Sequence, residues 1–238
     1  MVDKAELTSQ LQERYKDIKK PEVRAVIKIQ DEILSALRDY LRGVGFIEIL
    51  APIIGPATDP GIRGANQVSF DYYGTQFKIM SSMILYKQMA VNSFEKVFAL
   101  SPNIRLEPDA TRETGRHLSE FRQLDLEVAN ASYNDAMAVG DKLVTSVVKR
   151  VKVNCGDELE ALDRELENPR PPFKKVTHYD AVELLMKKGF DLNQGEEVPW
   201  HAESTLSENF GDFFWIIDYL KLWCKVVPFL VPLLGGTC

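Results

Sequence analysis

The sequence predicts an α+β fold in which helices flank an antiparallel sheet. Helices and mostly non-alternating strands follow one another without an internal repeat or a low-complexity tract, and this order favours an antiparallel sheet. With 238 residues, of which 45% are hydrophobic and 27% charged, the chain is long enough to bury a sizeable core in one large domain or two small ones.

The first predicted element is a long amphipathic helix. Apolar residues recur at helical spacing from Val23 to Arg42, with charged residues on the other faces. Pro21 stands where a first-turn proline is tolerated, and two glycines end the helix. The apolar run 46–50 then predicts a strand, which Pro52 stops.

The remaining elements are predicted from the same periodicities. Gly74 turns a hairpin between strands over 68–72 and 76–80, after a long loop marked by glycines and prolines between 52 and 64. Further strands are predicted over 96–100, 121–128 and 213–217, and further helices over 83–93, 135–152 and 182–188.

Net charge and cysteine usage limit the function classes. The formal net charge is −6, so broad binding of nucleic acid through phosphate neutralisation is not favoured, although a local basic groove stays open. The polar start has no apolar signal segment, and the three cysteines are widely spaced, which indicates unpaired thiols in a cytoplasmic protein. The apolar stretch 213–234 contains Asp218, Lys221 and Lys225, whose burial in a bilayer would be costly, so no membrane helix is expected.

Charged residues are concentrated in two predicted strands joined by a charged loop. Side chains alternate along a strand, so Arg105 and Glu107 share one face of the first. One face of the second carries Phe121, Gln123, Asp125 and Glu127. So many charges on the inner face of an apolar sheet are costly without partners, which a ligand with a phosphate, an amine and an aromatic base would supply. A solvated sheet face with cross-strand salt bridges explains the same residues without a ligand.

Several ordered motifs resemble the class II aminoacyl-tRNA synthetases of the aspartate, asparagine and lysine subgroup. The segments SPNIRLE and GRHLSEFRQLDLEVA are similar to motif 2, about 97–128, and GFIEILAPII after the long helix is similar to motif 1, about 26–52. KIMSSMILYKQMAV is similar to the substrate-binding stretch of the subgroup. The resemblance implies a class II catalytic domain over 1–219, followed by an atypical hydrophobic tail over 220–238.

The resemblance implies four ATP-binding residues. Arg105 matches the motif 2 arginine that holds the α-phosphate and stabilises the charge that builds there, so it is the candidate catalytic residue. Glu107 matches a carboxylate on the adenosine side, and Phe121 matches the ring that stacks on adenine. His117 lies in the motif 2 loop and is expected to reach the β- or γ-phosphate. Loop packing for His117 and ordinary core packing for Phe121 stay open as alternatives.

The resemblance also implies substrate-binding residues. Lys87 matches the lysine that pairs with the side-chain carboxylate of aspartate, and Asp125 matches an acidic residue near the substrate α-amino group. Gln123 lines the same strand, with a less defined role. A solvated helix lysine stays open as the alternative for Lys87. His178 and His201 match no motif, and a surface position is expected for both.

Four features depart from the tRNA synthetases of this subgroup. We expect no anticodon-binding domain before the core. In addition, Ile84 replaces the usual substrate-contacting glutamine, and the loop after motif 1 reads Thr58-Asp59-Pro60. These three features resemble the archaeal asparagine synthetase family that is related to asparaginyl-tRNA synthetase. The fourth is the absence, after about Tyr219, of motif 3 and of the acidic Mg²⁺ ligands, from which we expect weak or absent adenylation.

These resemblances imply one leading function and two alternatives. The leading expectation is ATP-dependent activation of aspartate as aspartyl-adenylate, followed by amide formation with ammonia. The first alternative is tRNA aminoacylation by an aspartyl- or asparaginyl-tRNA synthetase core, and the second is a non-catalytic paralogue that binds a nucleotide or a partner. ATP and Mg²⁺ are the implied cofactors, and the motif 1 helix implies a homodimer.

Overall fold

The chain divides into two compact units. We call Leu41–Ala136 the central unit, and Met1–Tyr40 together with Met137–Cys238 the flanking unit. The fold is the α+β class that the sequence predicts, with mixed helices and sheets. The computed structural model describes residues 12–58, 66–109, 117–196, 198–219 and 229–230.

The described elements follow the order expected from the sequence. The helices are α1 (Arg14–Asp17), α2 (Pro21–Gly43), α3 (Ile84–Ala90), α4 (Tyr133–Asn154), α5 (Gly156–Ala161), α6 (His178–Lys187) and α7 (Glu203–Phe210), with a 3₁₀ turn at Trp200–Ala202. The strands are β1 (Ile47–Glu48), β2 (Ile54–Gly55), β3 (Ser69–Tyr72), β4 (Thr75–Ile79), β5 (Lys96–Ile104), β6 (Glu120–Val128), β7 (Lys174–Thr177), β8 (Phe214–Ile217) and β9 (Phe229–Leu230).

The central unit is built around a three-stranded sheet in the order β1-β5-β6. β5 and β6 are antiparallel over their full length, from Lys96 opposite Val128 to Ile104 opposite Glu120. β1 is parallel to β5 and pairs only with Val97 and Phe98, so none of the described strands pairs with the far half of β5 on that side. A proline is tolerated at such an edge, which explains why Pro102 does not end the strand.

A second sheet of the central unit contains the predicted hairpin. β3 and β4 are antiparallel, with Tyr72 opposite Thr75, and β2 adds to the other side of β4. The two-residue turn places Tyr73 at φ 53° and Gly74 at φ 78°. Positive φ at both positions is the type I′ geometry that matches the twist of a hairpin, and the Gly74 amide donates to Asp71 Oδ1 at 3.1 Å.

The flanking unit has a mixed sheet in the order β7-β8-β9. β7 and β8 are parallel, and β9 is antiparallel to β8. Helices α6 and α7 cover an apolar core that includes Val176, Ala181, Val182, Leu185, Leu206, Phe214 and Ile216. Thr177 begins α6 as its N-cap, because its hydroxyl accepts a hydrogen bond from the Asp180 amide at 3.0 Å.

A buried aspartate ties α4 to this sheet. Asp141 accepts the indole N–H of Trp215 through Oδ1 at 2.7 Å and the amide of Phe173 through Oδ2 at 3.2 Å. Both oxygens of the buried carboxylate therefore have a donor, which a buried charge requires. Gly140 leaves room for the same indole, since a Cβ at this position would lie 2.9 Å from two ring carbons of Trp215.

An ion network joins α2 to α4 within the flanking unit. Arg150 bonds the carboxylates of Glu32 and Asp39, and Asn154 donates to Glu32 Oε1 at 3.0 Å. The hydrogen bond from Arg150, followed by that from Asn154, holds the pKa of Glu32 below its ordinary value of 4.5.

The structure differs from the predicted elements in three respects. The expected antiparallel sheet includes parallel pairs, β1 with β5 and β7 with β8, and β1 is shorter than the predicted strand over 46–50. Six of the described helices and strands were not predicted, namely α1, α5, α7, β2, β7 and β9, and neither was the 3₁₀ turn at Trp200–Ala202. The predicted tail, 220–238, lies outside the described residues except for β9. None of the described helices is long and apolar enough for a bilayer crossing.

Candidate functional site

One face of the β5–β6 ladder forms a polar floor in the central unit. Directly opposite residues in the ladder face the same side, and the register places Ala99 opposite Asp125, Ser101 opposite Gln123, and Asn103 opposite Phe121. The pairing continues one step beyond β5, where the Arg105 amide donates to the Ser119 carbonyl at 2.9 Å. We call the set Ser101, Asn103, Arg105, Phe121, Gln123, Asp125 and Glu127 the floor.

Arg105 lies above Phe121 at one end of the floor. The guanidinium carbon is 5.1 Å from the centroid of the ring, within the range of a cation–π contact. Nε of Arg105 donates to the Ser81 carbonyl at 3.1 Å, which orients the side chain. The residues predicted to hold the α-phosphate and to stack on adenine are therefore in contact with each other.

The segment that orients Arg105 is fixed to the sheet. The Ile104 amide donates to the Met80 carbonyl at 3.0 Å, and the Ser81 amide donates to the hydroxyl of Thr58 at 3.0 Å. Ser81 and Thr58 are buried, and their hydroxyl oxygens are also 3.0 Å apart. Thr58 and Ser81 lie in segments that the sequence singles out, but this role was not predicted, because a backbone carbonyl that positions a side chain leaves no signal in residue identity.

Lys87 occupies the other end of the floor. Its ammonium group lies 3.2 Å from Asp125 Oδ1, 3.3 Å from the Leu126 carbonyl and 3.5 Å from Glu127 Oε2. The Lys87 side chain is only 14% exposed, so the solvated helix lysine considered from the sequence is wrong. Glu127, which the sequence placed on this strand without a role, is the second carboxylate of the cluster.

Three buried side-chain oxygens on the floor have no hydrogen-bond partner in the part of the chain that the structure describes. Asn103 donates through Nδ2 to Gln123 Oε1 at 2.6 Å, but its carbonyl oxygen Oδ1 is unpaired. Ser101 Oγ and Asp125 Oδ2 are buried and unpaired as well. Ser101 and Asn103 were not predicted as site residues, although the two-residue alternation that selects Arg105 and its partners on β6 also selects them.

Glu107 and His117 lie on either side of residues 110–116, which fall outside the described part of the chain. Glu107 is half-buried beyond the end of β5, and His117 is exposed just before β6. Their predicted contacts with ATP stay predictions.

His178 was expected at the surface, but it is only 2% exposed. Its Nε2 lies 2.8 Å from the Glu196 carbonyl, and its ring packs on Tyr219. His201 is exposed, as expected.

The described residues contain no group of three or more His, Cys, Asp or Glu side chains placed to hold a metal ion. The acidic pair at Asp125 and Glu127 is already neutralised in part by Lys87. No Mg²⁺ ligand is therefore assigned among these residues.

Cys155 is a free buried thiol whose pKa is raised by burial, as expected for a structural cysteine.

The fold is that of a class II synthetase domain, and comparison with known proteins shows the family. The chain matches the family described as tRNA synthetases class II (D, K and N) over residues 6–233, and it belongs to this family. It is 36% identical over 218 residues to the aspartate–tRNA(Asp/Asn) ligase of Saccharolobus solfataricus, and 32% identical over 222 residues to the aspartate–tRNA(Asp) ligase of Picrophilus torridus.

Solved structures agree with this assignment. The asparaginyl-tRNA synthetase of Pyrococcus horikoshii in complex with asparaginyl-adenylate superposes with a TM-score of 0.82 at 30% identity, over 90% of this chain and 49% of that one. The two ligases are matched over 91% and 92% of this chain, and over 49% and 51% of their own length. The chain thus spans about half the length of the relatives that it matches. These relatives support the tRNA alternative, and they give no support to ammonia as the acceptor.

Proposed function

We propose that the floor is the adenylation site of a tRNA-aminoacylating enzyme that activates aspartate or asparagine with ATP. The observation that carries the proposal is the arrangement along one sheet face, with Arg105 over Phe121 at one end and Lys87 beside Asp125 at the other. The first pair suits a nucleotide, and the second suits a small amino acid with a polar side chain. The names of the relatives support the same assignment.

Arg105 and Phe121 bind the nucleotide in this proposal. The planar guanidinium donates charge-assisted hydrogen bonds to the α-phosphate, and the ring stacks on adenine. The carboxylate of the amino acid attacks the α-phosphorus, the bond to the bridging oxygen breaks, and pyrophosphate leaves with the electron pair. Arg105 accelerates this step because negative charge builds at the phosphoryl oxygens in the transition state, where its hydrogen bonds strengthen.

Lys87 and Asp125 orient the amino acid. All three N–H donors of Lys87 have an acceptor within 3.5 Å, so a substrate carboxylate must take the place of one of them. Glu127 Oε2, at 3.5 Å the most distant, is the one most easily displaced. The acceptor that completes the reaction is the terminal ribose hydroxyl of a tRNA, which attacks the carbonyl carbon of the adenylate and releases AMP.

Mg²⁺ would supply charge neutralisation on the triphosphate when it is bound. Because the described residues offer no ligand set, no step is assigned to it.

The domain bounds 1–219, the cytoplasmic location and the homodimer stay predictions. Val26 and Ile27 on α2 are 41% and 44% exposed, which supports a helix that meets a second copy, and sedimentation of the purified chain tests it.

Pyrophosphate exchange tests the proposed function. We expect weak exchange between labelled pyrophosphate and ATP, below ordinary enzyme rates, that depends on aspartate or asparagine and falls roughly 10²–10³-fold further in Arg105→Ala. Arg122→Ala is the matched control, because Arg122 is an exposed arginine on the opposite face of β6. Exchange that is unchanged in Arg105→Ala would contradict the assignment. Calorimetric binding of ATP without any exchange would instead favour the non-catalytic alternative.

Comparison of acceptors separates the two catalytic readings. With the adenylate formed, we expect a product ester with tRNA. Asparagine formed from aspartate and ammonium chloride in the absence of tRNA would favour the ammonia-dependent reading.

A further inference from the structure

We propose that Thr58 is a positioning residue that holds Arg105 in place for the phosphates of ATP. This role deepens the proposed function, on which its nucleotide part rests. The ring of Phe121 attracts the same guanidinium at 5.1 Å, and a long side chain held by one weak contact keeps much of its rotamer freedom. The structure supplies a second contact in the hydrogen bond from Arg105 Nε to the Ser81 carbonyl at 3.1 Å.

The peptide unit between Met80 and Ser81 is fixed at both ends. Its carbonyl oxygen accepts the Ile104 amide at 3.0 Å, and its N–H donates to Thr58 Oγ1 at 3.0 Å. This peptide is trans, so it is planar with its C=O and N–H on opposite sides, and the two hydrogen bonds together oppose rotation of the plane. The next carbonyl, that of Ser81, is the acceptor of Arg105, and its direction depends on the plane before it.

Thr58 supplies the side-chain part of this support. Ile104 takes part through its backbone amide, which any residue except proline would provide, whereas the Thr58 hydrogen bond needs a hydroxyl. Thr58 and Ser81 are only 6% and 1% exposed, so water does not readily replace that hydroxyl. The two hydroxyl oxygens are also 3.0 Å apart, which gives Thr58 a second hydrogen bond to the same segment. Removing the hydroxyl would leave a buried amide without an acceptor, and the segment would turn to regain one.

The consequence of this support is selective for the phosphates. ATP needs the guanidinium in one position, so its binding should weaken when the Ser81 carbonyl moves. Adenosine has no phosphate for Arg105 to bind, so its binding should depend little on Thr58. The effect on ATP must disappear when Arg105 is removed, because Thr58 acts through it. A residue that only stabilises the fold would show no such dependence on a second residue.

Calorimetry with ATP and with adenosine on the purified full chain tests the nucleotide part. We expect Thr58→Val to weaken ATP binding about three- to tenfold and to change adenosine binding less than about twofold. Thr58→Ser keeps the hydroxyl and should bind ATP within about twofold of wild type. In the Arg105→Ala background, Thr58→Val should cause no further loss. Thr145→Val is the matched control: it removes a buried hydroxyl that donates to the Asp141 carbonyl in the flanking unit, and it should change neither affinity.

The position of Arg105 can also be measured without any ligand. Its Nε–H signal in the nuclear magnetic resonance spectrum is identified by its loss in Arg105→Ala, and exchange of this hydrogen with water reports the hydrogen bond to Ser81. We expect exchange at least about tenfold faster in Thr58→Val, and changed less than about twofold in Thr58→Ser and Thr145→Val. Thr58→Cys keeps the volume and a weak acceptor, so it should give an intermediate rate, and it replaces Thr58→Val if that variant does not fold.

Each outcome supports or overturns the positioning role of Thr58. Unchanged Nε–H exchange in Thr58→Val overturns it, whatever the ligands do. Equal weakening of ATP and adenosine, or a full further loss of ATP binding in the Arg105→Ala background, also overturns it, and the proposed function then stands. If the wild-type chain binds no ATP, the proposed function fails, and the Nε–H exchange alone decides whether Thr58 positions Arg105.

Discussion

Arg105 and Phe121 are too close together to admit a base between them. A ring inserted between two flat groups needs about 3.5 Å on each side, or roughly 7 Å in total. The observed separation is 5.1 Å, so adenine can reach this face of Phe121 only when the guanidinium moves aside. The phosphate of ATP offers Arg105 a better partner than the ring, whereas adenosine offers none.

Arg105→Ala should therefore affect the two ligands in opposite directions. ATP should bind roughly 10- to 100-fold more weakly, because a charge-assisted hydrogen bond is lost. Adenosine should bind about two- to fivefold more tightly, because the competing cation–π contact is removed. Calorimetry with each ligand measures both effects, with Arg122→Ala as the control. Weakening of both ligands by the same factor would show that the Arg105–Phe121 contact does not compete with the base.

Lys87 also has a structural role that can be measured without substrate. Lys87→Met leaves Asp125, 7% exposed, and Glu127, 31% exposed, as neighbouring carboxylates without their cation. Losing one partner of a fully buried pair costs about 3–5 kcal/mol, and the partial exposure of Glu127 should reduce this to about 2–3 kcal/mol.

Urea unfolding of Lys87→Met tests this role. The control is Lys187→Met, which removes an exposed pair with Glu183 and should cost less than about 0.5 kcal/mol. Equal unfolding midpoints for the two variants would contradict a structural role for Lys87.

At the scale of elements, the link between α2 and α4 makes stability depend on pH. Arg150 lowers the pKa of Glu32 in the folded chain, so the folded state binds fewer protons than the unfolded state near the ordinary pKa of 4.5. The contribution of Glu32 is complete above that value and is lost as the pH falls through the lower, folded pKa. Glu32→Gln cannot titrate, so its stability should fall less steeply in acid.

Urea midpoints of wild type and Glu32→Gln between about pH 3 and pH 6 test this effect. The two curves should approach each other toward the acid end and separate above the ordinary pKa. Salt at about 0.5 M should narrow the separation, because the network is exposed. Parallel curves over the whole range would mean that Glu32 does not contribute through its charge.

Helices and strands with a clear pattern in their own sequence were predicted, and those without one were missed. The α2 helix, with its uninterrupted apolar stripe, and the hairpin at Gly74 were placed from sequence within one or two residues. β7 was missed because three of its four residues, Lys174, Lys175 and Thr177, are charged or polar, and only the parallel pairing with β8 makes them a strand. α7 was missed because a polar eight-residue helix is stabilised by the core beneath it more than by its own pattern.

The candidate site was predictable to the extent that charge marks it. Charge drew attention to Arg105 and Asp125, and the family resemblance drew attention to Lys87. The structure brings Lys87 to Asp125 and Arg105 to Phe121. Asn103 and Ser101 carry no charge and were overlooked, although they lie on the same face. Whether these polar atoms are paired depends on the positions of neighbouring side chains, which no residue pattern encodes.

At the scale of the whole molecule, every predicted site residue belongs to the central unit, Leu41–Ala136. Ligands that bind only the folded site slow those amide openings that disrupt it. ATP with aspartate should therefore slow exchange at amides of α3, β5 and β6, and should leave β7 and β8 of the flanking unit unchanged.

Hydrogen exchange read by peptide mass provides the measurement, with succinate in place of aspartate as the ligand control. If ATP with aspartate slowed amide exchange in Lys174–Thr177 as much as in Lys96–Ile104, the two units would open as one.

In the ladder of β5 and β6, the number of residues between Ser101 and Arg105 decides which face of the sheet each side chain occupies. Most of the residue identities in this segment matter less for that placement. Deleting a single residue there would shift the strand by one position and turn every following side chain to the opposite face of the sheet. Arg105 would then point away from Phe121 with no change in composition. Libraries that vary this region should therefore retain members with many substitutions and lose those with one insertion or deletion.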